Sequence, residues 1–435
     1  MTRGLIIAAP RSGSGKTTIT LALLAAFRRR ALSVRAGKSG PDYIDPAFHA
    51  AASGSPGCNL DSWAMNPSLL GAIAQNVASN GDLFIIESSM GLFDGIDGPP
   101  GRTGAAADLA RRFQLPVVLV LDVSGQSQSA AAVARGFASH DPTVRLAGVI
   151  LNQVASPRHR EGVTQAMMHL GLPILGSVSR DSRLALPERH LGLVQADEHS
   201  DLNMRLAHLA DMGEDQLDLD GIMQAAAPFT STGDLSQSIP PPGQRIALAQ
   251  DAAFSFIYPH LLQSWRALGA EIRPFSPLSN EEPPRDCDAC WLPGGYPELY
   301  AAALASATHF QSGLIEFAHT KPVHGECGGY MVLGETLQDA DGHTHKMCGL
   351  LSQTTSFKVR RLHLGYREAT LLSDGPIGRA GEKLRGHEFH YASVIQAGTD
   401  RPFANFTDAT LRPLGLAGGR RGNVSGSFFH AIALA

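Results

Sequence analysis

The chain has 435 residues, more than one hydrophobic core usually supports, so at least two domains are expected. Apolar residues make up 43% of it, ample for packed cores, and a formal charge of −4 excludes a broad basic face and with it nucleic acid as the main partner. Five cysteines, an opening Met1-Thr-Arg-Gly without a signal-peptide apolar region, and no run near the roughly 20 apolar residues of a membrane span read as a cytoplasmic, reduced protein off the membrane.

The apolar run 4–9 leads into Pro10-Arg-Ser-Gly-Ser-Gly-Lys-Thr17 and then a helical pattern. This is a phosphate-binding loop with Pro10 in place of the template's first glycine. Gly13 and Gly15 let backbone N–H groups turn toward a polyphosphate, Lys16 reaches the terminal phosphates, and the Thr17 hydroxyl can ligate Mg²⁺. Ser12, Gly13, Ser14, Gly15, Lys16, Thr17 and Thr18 are therefore expected to bind nucleotide.

Further strands are expected at 83–86, 117–121, 147–151 and 173–178, alternating with helices, which implies an α/β, doubly wound parallel sheet. Between the run 4–9 and the strand at 83–86 lies Lys38-Ser-Gly-Pro-Asp-Tyr-Ile-Asp-Pro46, with Asp42 and Asp45 in a Gly-Pro turn. Taken alone, these acids need be no more than turn residues. Glu87 and Asp94 follow the next strand in a glycine-rich loop, and in such sheets the loops at the carboxyl ends of strands converge on the ligand. After about residue 205 the pattern dissolves, and Pro240-Pro-Pro-Gly243 marks a linker. The expected domains are 1–225 and 245–435, with 226–244 between them.

The second α/β series begins at 245–249, with a helix near 258–268 and strands at 289–292 and 322–324. Cys287-Asp-Ala-Cys290 lacks the second pair a zinc site needs and reads as two thiols at a strand start. His324-Gly-Glu-Cys327-Gly-Gly places a cysteine on a tight turn between strand and helix, a nucleophile elbow in which the helix dipole is expected to lower the thiol pKa. The alternative is an inert buried cysteine. Backbone N–H groups at Gly294, Gly295 and Gly328 are expected to stabilise an oxyanion, and His430, in Gly426-Ser-Phe-Phe-His430, to act as the base.

The elbow, the Gly-Gly-Tyr-Pro-Glu298 turn and the late histidine resemble the class I glutamine amidotransferase domain, which hydrolyses glutamine to glutamate and ammonia. That domain's usual signature ends His-x-Glu, whereas Ile432 stands two residues after His430, which implies a Cys327–His430 dyad. Over essentially its whole length the chain resembles the cobyrinic acid a,c-diamide synthase family, including the form acting on metal-free hydrogenobyrinic acid. Its N-terminal part is similar to dethiobiotin synthetase. The resemblance implies ATP, L-glutamine and a polycarboxylate corrinoid as substrates and Mg²⁺ as cofactor, and leaves a homo-oligomer open. It implies Thr17, Asp45 and Glu87 as metal ligands, with Lys38, Asp42 and Asp94 in substrate binding and activation. Lys38 and Arg102 become partners for the substrate's acid groups. Asn152 would read adenine or cap a turn, and Arg385–Tyr391 would be a loop closing the glutaminase site, where His390 either contacts glutamine or is structural. Three other readings stay open: a cobyric acid synthase, against which Asp42 and Asp45 speak; a partitioning-type ATPase switch, which has no use for the elbow; and a stand-alone glutaminase, which has none for the phosphate loop.

Overall fold

Short apolar runs, each feeding a turn and then a helix, build the first part of the chain. A computed structural model describes residues 1–181 and 201–435, together with the backbone of a small hairpin at 188–189 and 192–193. The chain divides into two compact units, residues 1–63 with 67–234, and 64–66 with 235–435. In the first unit β1 (Arg3–Ala8), α1 (Lys16–Arg29), β2 (Val34–Ser39), α2 (Asp45–Ser53), β3 (Cys58–Leu60), α3 (Pro67–Ala78) and β4 (Leu83–Glu87) come first. They are followed by α4 (Ala106–Phe113), β5 (Val117–Asp122), α5 (Ser129–His140), β6 (Leu146–Val154), α6 (Pro157–Met167) and β7 (Ile174–Ser179). The hairpin strands β8 (Glu188–Arg189) and β9 (Gly192–Leu193), then α7 (Leu202–Gln216), α8 (Leu219–Ala225) and β10 (Ala227–Pro228), complete the unit.

The main sheet runs β3-β2-β4-β1-β5-β6-β7, all parallel, with β10 antiparallel to β1. Helices cover both faces, which is why its strands read as continuous apolar runs. Val118, Val120 and Ile150 pack with residues of α1, α2 and α7, while the alternate residues Leu119, Leu121, Val149 and Leu151 pack with α5 and α6. The region after residue 205, expected to be irregular, is helical, and α7 packs along α1. Part of the expected linker is also ordered into this unit. Ala227 and Pro228 pair with Gly4 and Arg3, and Phe229, 2% exposed, sits edge-on to Phe84 and Phe113.

The second unit opens with β11 (Arg245–Ala249), α9 (Pro259–Ala267), β12 (Glu271–Phe275), β13 (Ala289–Leu292), α10 (Ala301–Ser306), α11 (Thr308–Thr320), β14 (Val323–Glu326) and α12 (Gly328–Leu333). Short strands follow: β15 (Thr336–Gln338), β16 (Thr344–Lys346), β17 (Thr354–Ser356), β18 (His363–Leu371), β19 (Lys383–His390) and β20 (Ser393–Gln396). The chain closes with β21 (Ala404–Asp408), β22 (Pro413–Ala417), β23 (Gly419–Arg421), β24 (Val424–Ser427) and β25 (Phe429–Leu434). One sheet has the order β12-β11-β13-β14-β24-β23, parallel except for β23 at its edge. Two further sheets accompany it, the antiparallel β22-β21-β18-β19-β25 and the mixed β16-β15-β17-β20, in which β15 and β17 run parallel. The stretch 385–391, expected to be a closing loop, is almost entirely β19, paired along both edges with β18 and β25.

Candidate active site

In the first unit the carboxyl ends of β1, β2 and β4 meet at one place. Gly13 and Gly15 have φ of 75° and 87°, the left-handed conformation that turns the loop into α1, and Gly15 caps that helix. A Cβ on Gly15 would lie 2.2 Å from Nδ2 of Asn152, so only glycine admits that side chain. Asn152 lies within β6, which removes the turn-capping reading, and its Nδ2 donates to the Ser14 carbonyl at 2.9 Å. The contact this structure gives it is with the loop itself. Ser14 Oγ and Lys16 Nζ both donate to the Arg11 carbonyl, at 3.1 and 3.2 Å. Ser12 is exposed, and Thr18 lies in the first turn of α1 beside Thr17.

Behind the loop lies a buried charge cluster. Thr17 Oγ1 donates to Glu87 Oε1 at 2.7 Å, and Lys38 Nζ donates to the same oxygen at 2.9 Å. Lys38 also contacts Asp45 Oδ2, and His49 Nε2 lies 2.6 Å from Glu87 Oε2. Lys38 is 2% exposed, so its charge is directed at these internal acids rather than held out toward a substrate. Asp42 accepts the backbone N–H groups of Ile44 and Asp45, which orders the entry to α2, and Asp94 is an exposed loop residue accepting from Gly91 N–H. Arg102 donates to the Trp63 carbonyl. The residue missed in the sequence is His49. It stands four positions after Asp45 on α2, on the same buried face, and that spacing is the signal that finds it.

Burial dominates the electrostatics here, and partners decide its outcome. Burial opposes ionisation of Glu87, but Lys38, His49 and Thr17 together overcome it and hold the carboxyl well below its usual range. Lys38 is likewise penalised by burial, yet Asp45 and Glu87 hold its ammonium well above the ordinary value. Asp45 is pushed up to about 6 by burial and by Asp42, more than Lys38 pulls it down. Lys16 falls to about 8 through burial and the neighbouring Lys38. The Asp45 carboxyl and the Thr17 hydroxyl are hard oxygen donors of the kind a divalent cation takes, and they stand beside Glu87, whose charge Lys38 and His49 answer in this structure.

In the second unit Cys327 ends the turn from β14 into α12 with φ 46° and ψ −103°, a strained conformation for a residue with a Cβ. Its N–H donates to the Ser427 carbonyl at 2.8 Å, and its Sγ lies 3.8 Å from the Phe389 carbonyl. Gly294 faces the base, since a Cβ there would lie 2.4 Å from Cε1 of His430. A Cβ on Gly328 would lie 3.0 Å from the Gly295 nitrogen. Of the three glycines of the expected oxyanion site, Gly294 thus packs against the imidazole, and Gly328, next to Cys327 in the chain, packs against Gly295. His430 lies on β25 directly opposite His387 of β19, with Glu388 and His390 on the same strand.

The thiol does not follow the helix-dipole expectation. The helix that starts after Cys327 is only six residues long, while burial and the carboxyls of Glu298, Glu388 and Glu326 push the thiol above its ordinary range. Burial, with His387 and His390, lowers His430 to about 3. Both shifts favour the uncharged form, of the thiol and of the imidazole. His363, Glu388 and His390 offer three atoms close enough for a metal, but His390 is engaged at both ring nitrogens, with Ala392 O and Glu388 Oε1. The other oxygen of Glu388 accepts from Arg367 at 2.6 Å, whose charge opposes a cation there. Cys287 and Cys290 are buried free thiols.

A phosphate-loop unit backed by buried acids, with a second unit built on a cysteine elbow, defines a glutamine-dependent amidating ligase. Residues 5–194 match the CobQ/CobB/MinD/ParA nucleotide binding domain, and residues 245–435 match the CobB/CobQ-like glutamine amidotransferase domain. The hydrogenobyrinate a,c-diamide synthase of Agrobacterium fabrum is 60% identical over 432 residues, 99% of each chain. That of Mesorhizobium japonicum is 59% identical over 100% of this chain and 99% of its own, and that of Rhodobacter capsulatus 54% identical over 99% of each. The chain belongs to the hydrogenobyrinate a,c-diamide synthase family. Among the described residues, no helix is long and apolar enough to cross a membrane.

Proposed function

We propose that the protein amidates the a and c side-chain carboxylates of hydrogenobyrinic acid, using ATP to activate each carboxylate and glutamine as the nitrogen source. The observation that carries this reading is the presence, on one chain, of the Lys16/Thr17–Glu87 phosphate site and the Cys327–His430 elbow. A substrate carboxylate oxygen attacks the γ-phosphate of ATP, the bond to ADP breaks, and an acyl phosphate forms. Lys16 sits on the loop where charge develops in that step. Thr17, Asp45 and Glu87 would hold Mg²⁺, which supplies charge neutralisation for the phosphates when bound. Lys38 and His49 keep Glu87 ionised and fixed in place.

In the glutaminase unit the Cys327 sulfur attacks the side-chain amide carbon of glutamine as His430 takes the thiol proton. His430 returns that proton to the leaving nitrogen, the C–N bond breaks, and ammonia departs from a glutamyl thioester that water hydrolyses to glutamate. Ammonia then attacks the acyl phosphate, displacing phosphate and leaving the amide. Backbone N–H groups of Gly294, Gly295 and Gly328 support the tetrahedral oxyanion. Five buried free thiols suit a reducing cytoplasm.

The test is an ATP-dependent assay with amide-¹⁵N-labelled glutamine on hydrogenobyrinic acid and cobyrinic acid in parallel, read by mass spectrometry. Incorporation of label into both the a and c positions of the metal-free ring is the expected result. ATP hydrolysis without amide formation on either ring would overturn the proposal.

A further inference from the structure

Glu326, the residue before Cys327, is 1% exposed and ends β14. In the parallel pairing of β14 with β24 it stands opposite Ser427, and the chain then turns at Phe428 and brings β25 back past it. Its two oxygens reach successive residues of that strand. Oε1 accepts the Ala431 N–H at 2.9 Å, and Oε2 lies 4.0 Å from Nδ1 of His430. The residue two after the histidine, where the His-x-Glu pattern carries its carboxylate, is Ile432, which is fully buried in the apolar core. From the nucleophile's own strand, one carboxyl is anchored by the backbone beside the histidine and holds its other oxygen 4.0 Å from Nδ1.

We propose that Glu326 is the positioning residue for His430: its Oε2, 4.0 Å from Nδ1 and so beyond hydrogen-bond reach at rest, favours the Nδ1–H tautomer electrostatically and leaves the Nε2 lone pair to take the Cys327 proton. This rests on the reading of Cys327 and His430 as nucleophile and base. In the step it supports, the S–C bond to the glutamine carbonyl forms as the thiol proton passes to Nε2, and the Nδ1–H···Oε2 contact tightens as the imidazolium appears. The same proton leaves with ammonia as the C–N bond breaks, so Glu326 gains and loses none over the cycle. Burial raises the Glu326 carboxyl to about 8, so its ionised, orienting form grows in as pH rises through that value. The other groups facing His430 are His387, Glu388 and His390 of β19, and Glu298 and Glu388 also face the thiol.

The experiment measures glutamine-dependent turnover from pH 6 to 9 for the full chain and for Glu326→Gln, Glu326→Asp and His430→Ala, each normalised to ammonia-dependent amidation by the same preparation. Glu326→Gln keeps the side chain's size but not its charge. It is expected to lower kcat for glutamine by about 10²-fold, the lower end of what general acid–base catalysis contributes, with little change in KM and loss of the rising limb near pH 8. Glu326→Asp, which keeps the charge, should recover that limb. A Glu326→Gln enzyme with the parent's kcat and pH profile overturns the proposal, as does a Glu326→Asp enzyme indistinguishable from a damaged Glu326→Gln. Full glutamine use by His430→Ala would instead sink the underlying assignment of the base.

Discussion

Gly294→Ala tests the glutaminase geometry by the addition of one methyl group. The new Cβ would lie 2.4 Å from Cε1 and 3.3 Å from Nδ1 of His430, and 3.2 Å from Cβ of Phe256. Carbon atoms in contact rest at about 3.5–4.0 Å, so the imidazole must retreat by roughly 1 Å. The backbone cannot easily give way, because the Gly294 carbonyl accepts the Phe256 N–H at 2.9 Å. A displacement of about 1 Å in a catalytic group costs on the order of 10²-fold in rate, or about 3 kcal/mol of transition-state stabilisation. The assay is glutamate release from glutamine, run beside ammonia-driven amidation by the same preparation. Glutamate release should fall about 100-fold while the ammonia reaction persists. If the variant hydrolyses glutamine within about threefold of the parent and unfolds at the same temperature, His430 at its observed place is not the base.

Cys327→Ser should abolish glutamine-dependent synthesis and leave synthesis with concentrated ammonium salt, as read by amide formation with each donor. Lys16→Ala should stop amide formation from both donors; normal synthesis would remove the phosphate loop from the mechanism. Lys38→Met leaves Asp45 and Glu87 buried without their shared cation and should destabilise the first unit by about 3–5 kcal/mol, measured as faster hydrogen exchange in peptides from α1 and β4. Asp45→Asn should depress amidation with either donor. Because Asp45 titrates near 6 when folded against 3.8 ordinarily, folding takes up a proton between those values and the parent's stability falls as pH rises through them, so the variant should gain on the parent by about 2–3 kcal/mol from pH 4 to 7. The opposite drift would mean that Lys38 outweighs burial and Asp42 at that carboxyl.

The parallel strands, the phosphate loop and the elbow were legible because each is written locally: an apolar run, glycines at a turn, a helical pattern. What escaped depends on partners distant in sequence. Lys38 looked like a substrate contact because nothing near it in the chain shows that Glu87, 49 residues away, shares its ammonium. The stretch around Arg385–Tyr391 looked like a loop from the family resemblance, and its burial does not alternate cleanly, so only pairing with β18 and β25 makes the strand evident. Glu326 stood in plain view beside Cys327, but its relation to His430 requires β25 to fold back over the end of β14. The order of residues 226–234 comes from Phe229 packing against Phe84 and Phe113, which outweighs the small and polar composition around it.

Burial opposes charge in both units, and they differ in how far partners answer it: in the first, Asp45 and Lys16 still shift toward neutrality. In the phosphate site, acids are answered by a cation, so Glu87 and Lys38 remain ionised without solvent. Phosphoryl transfer needs fixed charge, and a pre-formed charged cluster supplies it with no reorganisation at the moment of reaction. In the glutaminase site burial goes largely unanswered: Cys327 and Glu326 are driven up and His430 down, all toward neutrality. Glu388 is the exception, because His390 and Arg367 overcome its burial and hold it at about 2. A thiol raised by burial and an imidazole lowered by it store no standing thiolate. On the proposed mechanism, charge would appear only as sulfur meets the glutamine carbonyl and the proton crosses to nitrogen, the instant at which the glycine N–H groups and the Glu326 carboxyl would stabilise it. On that mechanism, the reactivity of Cys327 would lie in the geometry of that proton transfer rather than in a thiol acidified by the short helix that follows it.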